Sequence, residues 1–246
     1  MSAYAWTLAW TEAAGVRTLA KSETGSTNAD AKAQLATLGH RSLVLADHQT
    51  AGRGRGDHRW TDARGEALLS SWIFRTSQSP QPILSALIGL ALFDAARAAW
   101  PNIDWALHAP NDLHVARGNG APVKIAGLLI ETISLGQNFH VVIGLGFNTA
   151  GAPRETNPFA ATSLSDELKR ADEVLNENDW RRFLEFWIDG LDSALALGSA
   201  TELNRSSRAG LRAALIEHQD FQELNEVTPE GSLVFKDGRR ISWSEL

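Results

Sequence analysis

"KIAGLLIETISLGQNFHVVIGLGFNT", Lys124 to Thr149, decides the fold. Two apolar runs, Lys124–Ser134 and His140–Thr149, flank a short connection that carries a glycine. Such a pair reads as a β-hairpin. A second hairpin lies in "GSLVFKDGRRISW" (231–243), where Asp237-Gly238 is a favoured two-residue turn. "SLVLADHQ" (42–49) and "ALLSSWIFR" (67–75) have the length and aliphatic content of buried strands. Helical signals lie between these runs. "GSTNADAKAQLATLGH" (25–40) offers Ser26, Thr27 or Asn28 as N-cap and Gly39 as terminator. "ILSALIGLALFDAARAAW" (83–100) is apolar on most sides, as a central buried helix is. "DWRRFLEFWIDGLDSALAL" (179–197) places Trp180, Phe183, Leu184, Trp187 and Leu191 at helical spacing, a stripe suited to core packing. Hairpins outnumber strand–helix–strand units, so the expected class is α+β: a mixed or antiparallel sheet with flanking helices.

The chain has 246 residues, enough for one large domain with a small appendage. The polar stretch "GSATELNRSSRAG" (198–210) reads as a linker or a loop between helices. We therefore expect a main domain over residues 1–205 and a small C-terminal domain over 206–246. There are no cysteines, which excludes disulfide scaffolds, thiolate metal sites and cysteine nucleophiles. The net charge is −6, so no global field attracts nucleic acid, and any anion site must be local. The N-terminal stretch lacks the basic region of a signal peptide, and residues 83–100 are too short and too polar to span a bilayer. A cytoplasmic protein with no membrane partner is expected. The seven histidines show no pair at ligand spacing on one expected element, so no metal site built by the protein alone is expected.

Four stretches carry chemical potential. "AGRGRGDHRW" (51–60) alternates Gly52, Gly54 and Gly56 with Arg53 and Arg55, then supplies Trp60. Glycines admit close backbone approach, arginines give bidentate contacts to phosphate or carboxylate, and an aromatic ring can stack on a base. On composition alone the segment is equally a solvated basic turn. It is neither a P-loop nor a dinucleotide fingerprint. Asn111 and Asp112, within "HAPNDLHV" (108–115), are either a plain turn or polar groups for ribose, metal or amine. Lys124 opens an apolar strand, as a solvated end or as a point charge aimed at an anion. "GLGFN" (144–148) brings two glycines and Asn148 to a strand end, a pattern of close approach.

Taken in order, "GSTNADAK" (25–32), "HQTAGRGRGDHRW" (48–60), "HAPNDL" (108–113), "KIAGLLIE" (124–131) and "IGLGFNT" (143–149) resemble the motif series of the biotin protein ligase family. The C-terminal "EGSLVFKDGRRISWSEL" (230–246) resembles, in shortened form, the last strands of that family's small SH3-like domain. The resemblance implies a fold like the class II aminoacyl-tRNA synthetases and biotin synthetases. It also implies a two-step reaction. Biotin and MgATP give biotinyl-5′-AMP and pyrophosphate, and biotin then passes to one lysine of a biotin carboxyl carrier domain. By resemblance, Ser26, Thr27, Asn28, Gln49, Gly52, Arg53, Lys124 and Gly127 bind biotin. Arg53, Gly54, Arg55, Trp60, Asn111, Asp112, Lys124 and Asn148 bind ATP or the adenylate, with Mg2+ arriving on ATP. Lys124, Arg53 and Arg55 carry the catalysis.

Two segments depart from the family. Gly56-Asp57-His58 stands where Arg-Gly-Arg is frequent, which removes cationic charge from the loop. His108-Ala109 stands where Lys-Trp precedes Pro-Asn-Asp, which alters the wall of the acid pocket. A lipoate or other acyl-acid protein ligase of the same fold, and a non-catalytic biotin- or nucleotide-binding paralogue, are therefore alternatives. Family members that repress transcription carry a helix-turn-helix domain. The few residues before Gly25 and the acidic charge lead us to expect no DNA partner. The resemblance leaves a homodimer open.

Overall fold

A computed structural model describes residues 2–118, 120–153 and 160–246. In chain order the elements are α1 (Ala3–Ala13), β1 (Thr18–Lys21), α2 (Thr27–Ala33), α3 (Leu35–Leu38), β2 (Ser42–Ala46), β3 (Ala67–Thr76), α4 (Ile83–Ala99), β4 (Trp105–His108), β5 (Asp112–Arg117), β6 (Gly120–Leu135), β7 (Asn138–Asn148), α5 (Leu164–Arg170), α6 (Glu177–Leu197), α7 (Arg205–Ile216), β8 (Leu224–Val227), β9 (Leu233–Phe235) and β10 (Arg240–Ile241). Seven strands pair in the order β1-β2-β3-β7-β6-β5-β4, and three more in the order β10-β9-β8. β1 and β2 run parallel while β2–β3, β3–β7, β6–β7 and β4–β5 are antiparallel, so the large sheet is mixed and the class is α+β as expected. No described helix is long and apolar enough to cross a membrane.

The chain forms two compact units. The first is Met1–Ser79 with Ile125–Arg181, and the second is Pro80–Lys124 with Arg182–Leu246. In the first unit the fold-deciding hairpin closes tighter than the sequence indicated. Leu135 pairs with Asn138, leaving Gly136-Gln137 as a two-residue turn with Gly136 at φ +63°. A glycine with positive φ at the first turn position matches the twist of the flanking strands. The longer connection expected there becomes paired strand instead. One core layer packs Ala31 and Leu35 against Val44, Ile73 and Val142. On α1, which the sequence reading left unassigned, Trp10 meets Trp72 edge-on at 6.3 Å. Trp180 is buried against Phe147 and donates from Nε1 to Thr7 Oγ1 at 3.0 Å, so a buried indole keeps its hydrogen bond.

The 25–40 segment is two short helices rather than one. Gln34 O accepts from both Thr37 N and Leu38 N, which starts a new turn, and Gly39 ends it at φ +81°. The side-chain cap expected from Ser26, Thr27 or Asn28 is also replaced. Ser26 occupies the cap position without a side-chain bond, and Gln49 Oε1 accepts from Thr27 N at 2.7 Å.

In the second unit, α4 and α6 approach closely at Gly190, where a Cβ would lie 2.8 Å from Ala91 Cβ. Trp100 stacks on Phe183 at 5.4 Å and accepts at its carbonyl from Trp105 Nε1. β9 and β10 form the expected hairpin, but Phe235 N donates to Arg239 O, so the connection is the three residues Lys236-Asp237-Gly238 rather than a two-residue turn, with Gly238 at φ +87°. The polar 198–210 stretch is a linker only in its first half. Asn204 caps α7 by accepting from Ser207 N at 2.8 Å, and the helix buries Leu211, Ala214 and Leu215. A side-chain cap plus one apolar face outweighs the stretch's polar composition. Asn204→Ala removes that cap and is expected to lower unfolding stability by about 1 kcal/mol in urea titration.

Candidate active site

The expected functional residues fall in both units. In the first, two loops are sewn together by backbone. Thr24 N donates to His48 O, Thr50 N to Thr24 O, and Ala51 N to Gly25 O. This brings the Ser26–Asn28 segment to Gln49, whose Oε1 accepts from Thr27 N and, at 3.1 Å, from Thr27 Oγ1. His48 Nδ1 lies 2.9 Å from Asp62 Oδ2, which anchors the far end of the loop. Burial pushes the Asp62 carboxyl above its ordinary value, against the opposing pull of His48.

The floor beneath these loops is β7. Asn28 is buried, and a Cβ on Gly144 would fall on its Oδ1. Ser71 is paired with Gly144 across β3–β7, and its Oγ lies 2.5 Å from Asn28 Oδ1 and 2.8 Å from Thr27 Oγ1. Asn28 Nδ2 donates to Leu129 O and to Glu131 Oε2 at 2.9 Å, and Lys32 Nζ holds Glu131 Oε1 at 2.7 Å. Burial raises the Glu131 carboxyl, but the bonds from Lys32 and Asn28 and the charges of Lys32 and Arg53 outweigh it. The net position is below the ordinary value. Two residues along, Gly146 pairs with Gly127 of β6, and a Cβ on Gly146 would lie 2.6 Å from Trp60 Cε2. Trp60 therefore lies flat on the strand. Its buried Nε1 has no hydrogen-bond partner among the described residues.

The arginine loop folds back on itself. Trp60 N donates to Gly52 O, Arg53 bridges Arg59, Gly54 N donates to His58 O, and Gly56 turns the tip at φ +62°. Gly52 is required by close approach, since its Cβ would lie 2.6 Å from Trp60 O. The Gly54 amide is thus spent within the loop, while Arg53 and Arg55 point their charge from exposed positions. Asn148, buried at the end of β7, donates to Thr162 O at 3.1 Å, so its amide organises the following chain.

In the second unit, Lys124 Nζ lies 2.7 Å from Asp112 Oδ2, with both side chains partly buried. Asp112 is the first residue of β5 and pairs with His108, and Asn111 lies in the turn before it. Asp112 Oδ1 is buried and takes no hydrogen bond among the described residues. An uncommitted carboxylate oxygen of this kind suits a hard cation such as Mg2+.

Sequence reasoning missed Ser71, Lys32 and the role of Glu131. Ser71 had one faint signal, a serine inside a run of buried strand residues. It also missed a group of histidines: His108, His114 and His218 gather in the second unit, where no shared element announces them.

A mixed seven-stranded sheet with flanking helices, and a three-stranded antiparallel sheet near the C-terminal end, define an α+β protein with polar loops seated on a glycine-bearing strand. Residues 19–148 match the Biotin/lipoate A/B protein ligase family, and the chain belongs to that family. A biotin--[acetyl-CoA-carboxylase] ligase of Mycobacterium tuberculosis is 41% identical over 152 residues, covering 58% of this chain and 53% of that protein. One from Paracoccus denitrificans is 35% identical over 134 residues, covering 53% of each. The chain thus spans about half the length of these curated relatives. Among solved structures, Aquifex aeolicus biotin protein ligase in complex with biotin and ATP superposes with a TM-score of 0.68 at 17% identity, covering 93% of this chain and 97% of that one. Leishmania major biotin protein ligase with biotinyl-5-AMP gives 0.61 at 22%, covering 92% and 96%.

The Glu131 cluster predicts a pH dependence. A carboxyl held below its ordinary value of 4.5 stabilises the fold above that pH, and the gain is lost as pH falls through the folded-state value. In denaturant titrations at several pH values, wild type is expected to exceed Glu131→Gln in stability at neutral pH. The gap should close on acidification below about pH 4.5.

Proposed function

We propose that this protein activates biotin with ATP to give biotinyl-5′-AMP and pyrophosphate, then transfers biotin to one lysine of a biotin carboxyl carrier domain. The observation that carries the reading is Lys124, held at 2.7 Å by Asp112 inside β6, which starts at Gly120 rather than at the lysine as expected. A positioned ammonium in partly desolvated surroundings stabilises charge that grows as carboxylate attacks phosphate, and it needs no reorganisation at that moment. In this reading Ser26, Thr27, Asn28, Gln49, Gly52 and Gly127 receive biotin. The network from Ser71 through Asn28 to Glu131 keeps that wall rigid. Arg53 and Arg55 close on the carboxylate and α-phosphate, Gly54 lets the loop approach, and Trp60, Asn111 and Asn148 serve the adenosine. Mg2+ that arrives with ATP would be held by Asp112 and would neutralise phosphate charge.

The larger catalytic part is assigned to residues 1–205 and the small C-terminal part, containing β8 to β10, to 206–246. The net charge of −6 supports a protein partner over DNA, and the absence of cysteine supports action in the cytoplasm. A homodimer is compatible with this reading.

The test is pyrophosphate release and labelling of a carrier domain, with biotin, lipoate and octanoate as competing acids. Biotin is expected to give both signals. Preference for lipoate or octanoate would reassign the acid to the pocket altered at His108-Ala109, and biotin binding without pyrophosphate release would mark a binding paralogue. Lys124→Ala is expected to slow adenylate formation by roughly a hundredfold or more, the scale of losing one preorganised donor. Adenylate formation at the wild-type rate would remove Lys124 from this role.

A further inference from the structure

In the second unit His108, placed above at the altered wall of the acid pocket, belongs to a side-chain cluster whose other members have no role in the ligase chemistry. His108 at the end of β4, His114 within β5 and His218 just after α7 bring their rings together. His108 stacks on His114 at 4.9 Å and 17°, and His218 lies 4.5 Å from His108 and 4.9 Å from His114. Asp220 completes the group. Its Oδ2 is 3.4 Å from His108 Nε2 and 3.7 Å from His218 Nδ1.

The hydrogen bonds fix the tautomer of the central ring. Asp220 N donates to His218 Nδ1, so that nitrogen carries a lone pair and Nε2 carries the proton. Nε2 lies 3.1 Å from His114 Nδ1, which accepts. The Nδ1 lone pair of His218 is taken by the Asp220 amide, beside the Asp220 carboxylate and His108 Nε2, while the ring's N–H is held from behind by a second buried imidazole. Release of that amide would leave the arrangement of a metal-ligating histidine, whose other ring nitrogen donates to a supporting group.

We propose that His108 Nε2, His218 Nδ1 and Asp220 Oδ2 bind one divalent transition-metal ion of the Zn2+ class, with His114 as a positioning residue. The three ligand atoms lie within 4.8 Å of one another. Bonds of about 2.0–2.2 Å require neighbouring ligands about 3.3 Å apart in a tetrahedral set, so binding an ion takes small side-chain shifts and displacement of the Asp220 N–H from His218 Nδ1. Burial lowers all three imidazoles, His218 to about 4 and His114 to about 2, so they are neutral donors at physiological pH. Two nitrogens and one oxygen favour a borderline ion over Mg2+, which prefers an all-oxygen shell. Asp112 is left out of the set because Lys124 holds its Oδ2 and the proposed function gives its Oδ1 to Mg2+. His218 is buried while Asp220 is exposed, so an ion enters from the Asp220 side and keeps a position open to water or an anionic ligand.

The test uses the full chain, stripped of metal by a chelator, then titrated calorimetrically with Zn2+ and followed by Co2+ absorption. One equivalent is expected to bind, with millimolar Mg2+ giving no competition. Asp220→Asn is expected to weaken Zn2+ at least tenfold. His108→Phe, which keeps a ring in the stack, should weaken it at least a hundredfold. Asp220 is exposed, so Asp220→Asn decides the matter even if the His108 variant misfolds. In nitrogen NMR, Zn2+ should shift His218 Nδ1 while Nε2 keeps its proton. No saturable binding, or equal affinity in wild type and Asp220→Asn, overturns the site. A metal shift at His218 Nε2 overturns the role of His114.

Discussion

Two missing Cβ atoms in β7 set the positions of the surrounding loops. At Gly144 the space above the strand is filled by Asn28, and at Gly146 by the Trp60 ring. Each neighbour then organises its own surroundings. Asn28 ties Ser71 on one side to Glu131 and Lys32 on the other. Trp60 takes the backbone of Gly52 and so defines the base of the arginine loop. A side chain at either glycine would lift one of these groups off the strand, and the polar network has no slack to follow. Glycine in a strand interior is entropically unfavourable, so its presence twice in three residues points to close approach.

Much of the fold was legible because it follows from local pattern. The hairpin of β6 and β7, the buried strands β2 and β3, and the helices α4 and α6 all obey simple periodicity. What sequence concealed were contacts that bridge long separations. The start of α2 is capped by Gln49 rather than by its own Ser26, and α7 hides inside a polar stretch because its cap and its apolar face lie on different residues. In the candidate site, the Gly-Arg loop, Lys124 and Asp112 were visible as unusual residues for their elements. Ser71 was hardly visible, since a serine among apolar strand residues is ordinary until its partner is known. The histidine cluster gave no signal, because His108 and His114 lie on two different strands and His218 follows a helix more than a hundred residues later.

The charge layout divides the cations into two kinds. Lys32 and Lys124 are each held by a carboxylate, at 2.7 Å in both cases, and are thereby oriented. Arg53 and Arg55 are exposed on a glycine-hinged loop. An oriented ammonium offers fixed geometry, and an exposed guanidinium offers reach. A chain with net charge −6 can thus concentrate positive potential locally while remaining acidic overall.

The bond from Gln49 to the Thr27 amide has a practical consequence. It joins residues 22 apart, and it is made by a side chain from one loop to the first turn of a helix. Opening of the Gln49 loop would release that amide to solvent, so hydrogen exchange at Thr27 becomes a built-in gauge of loop closure. A substitution at Gln49 would then act twice, on the loop and on the fraying of α2. Loss of function in such a variant would say little about direct contact unless the helix is monitored at the same time.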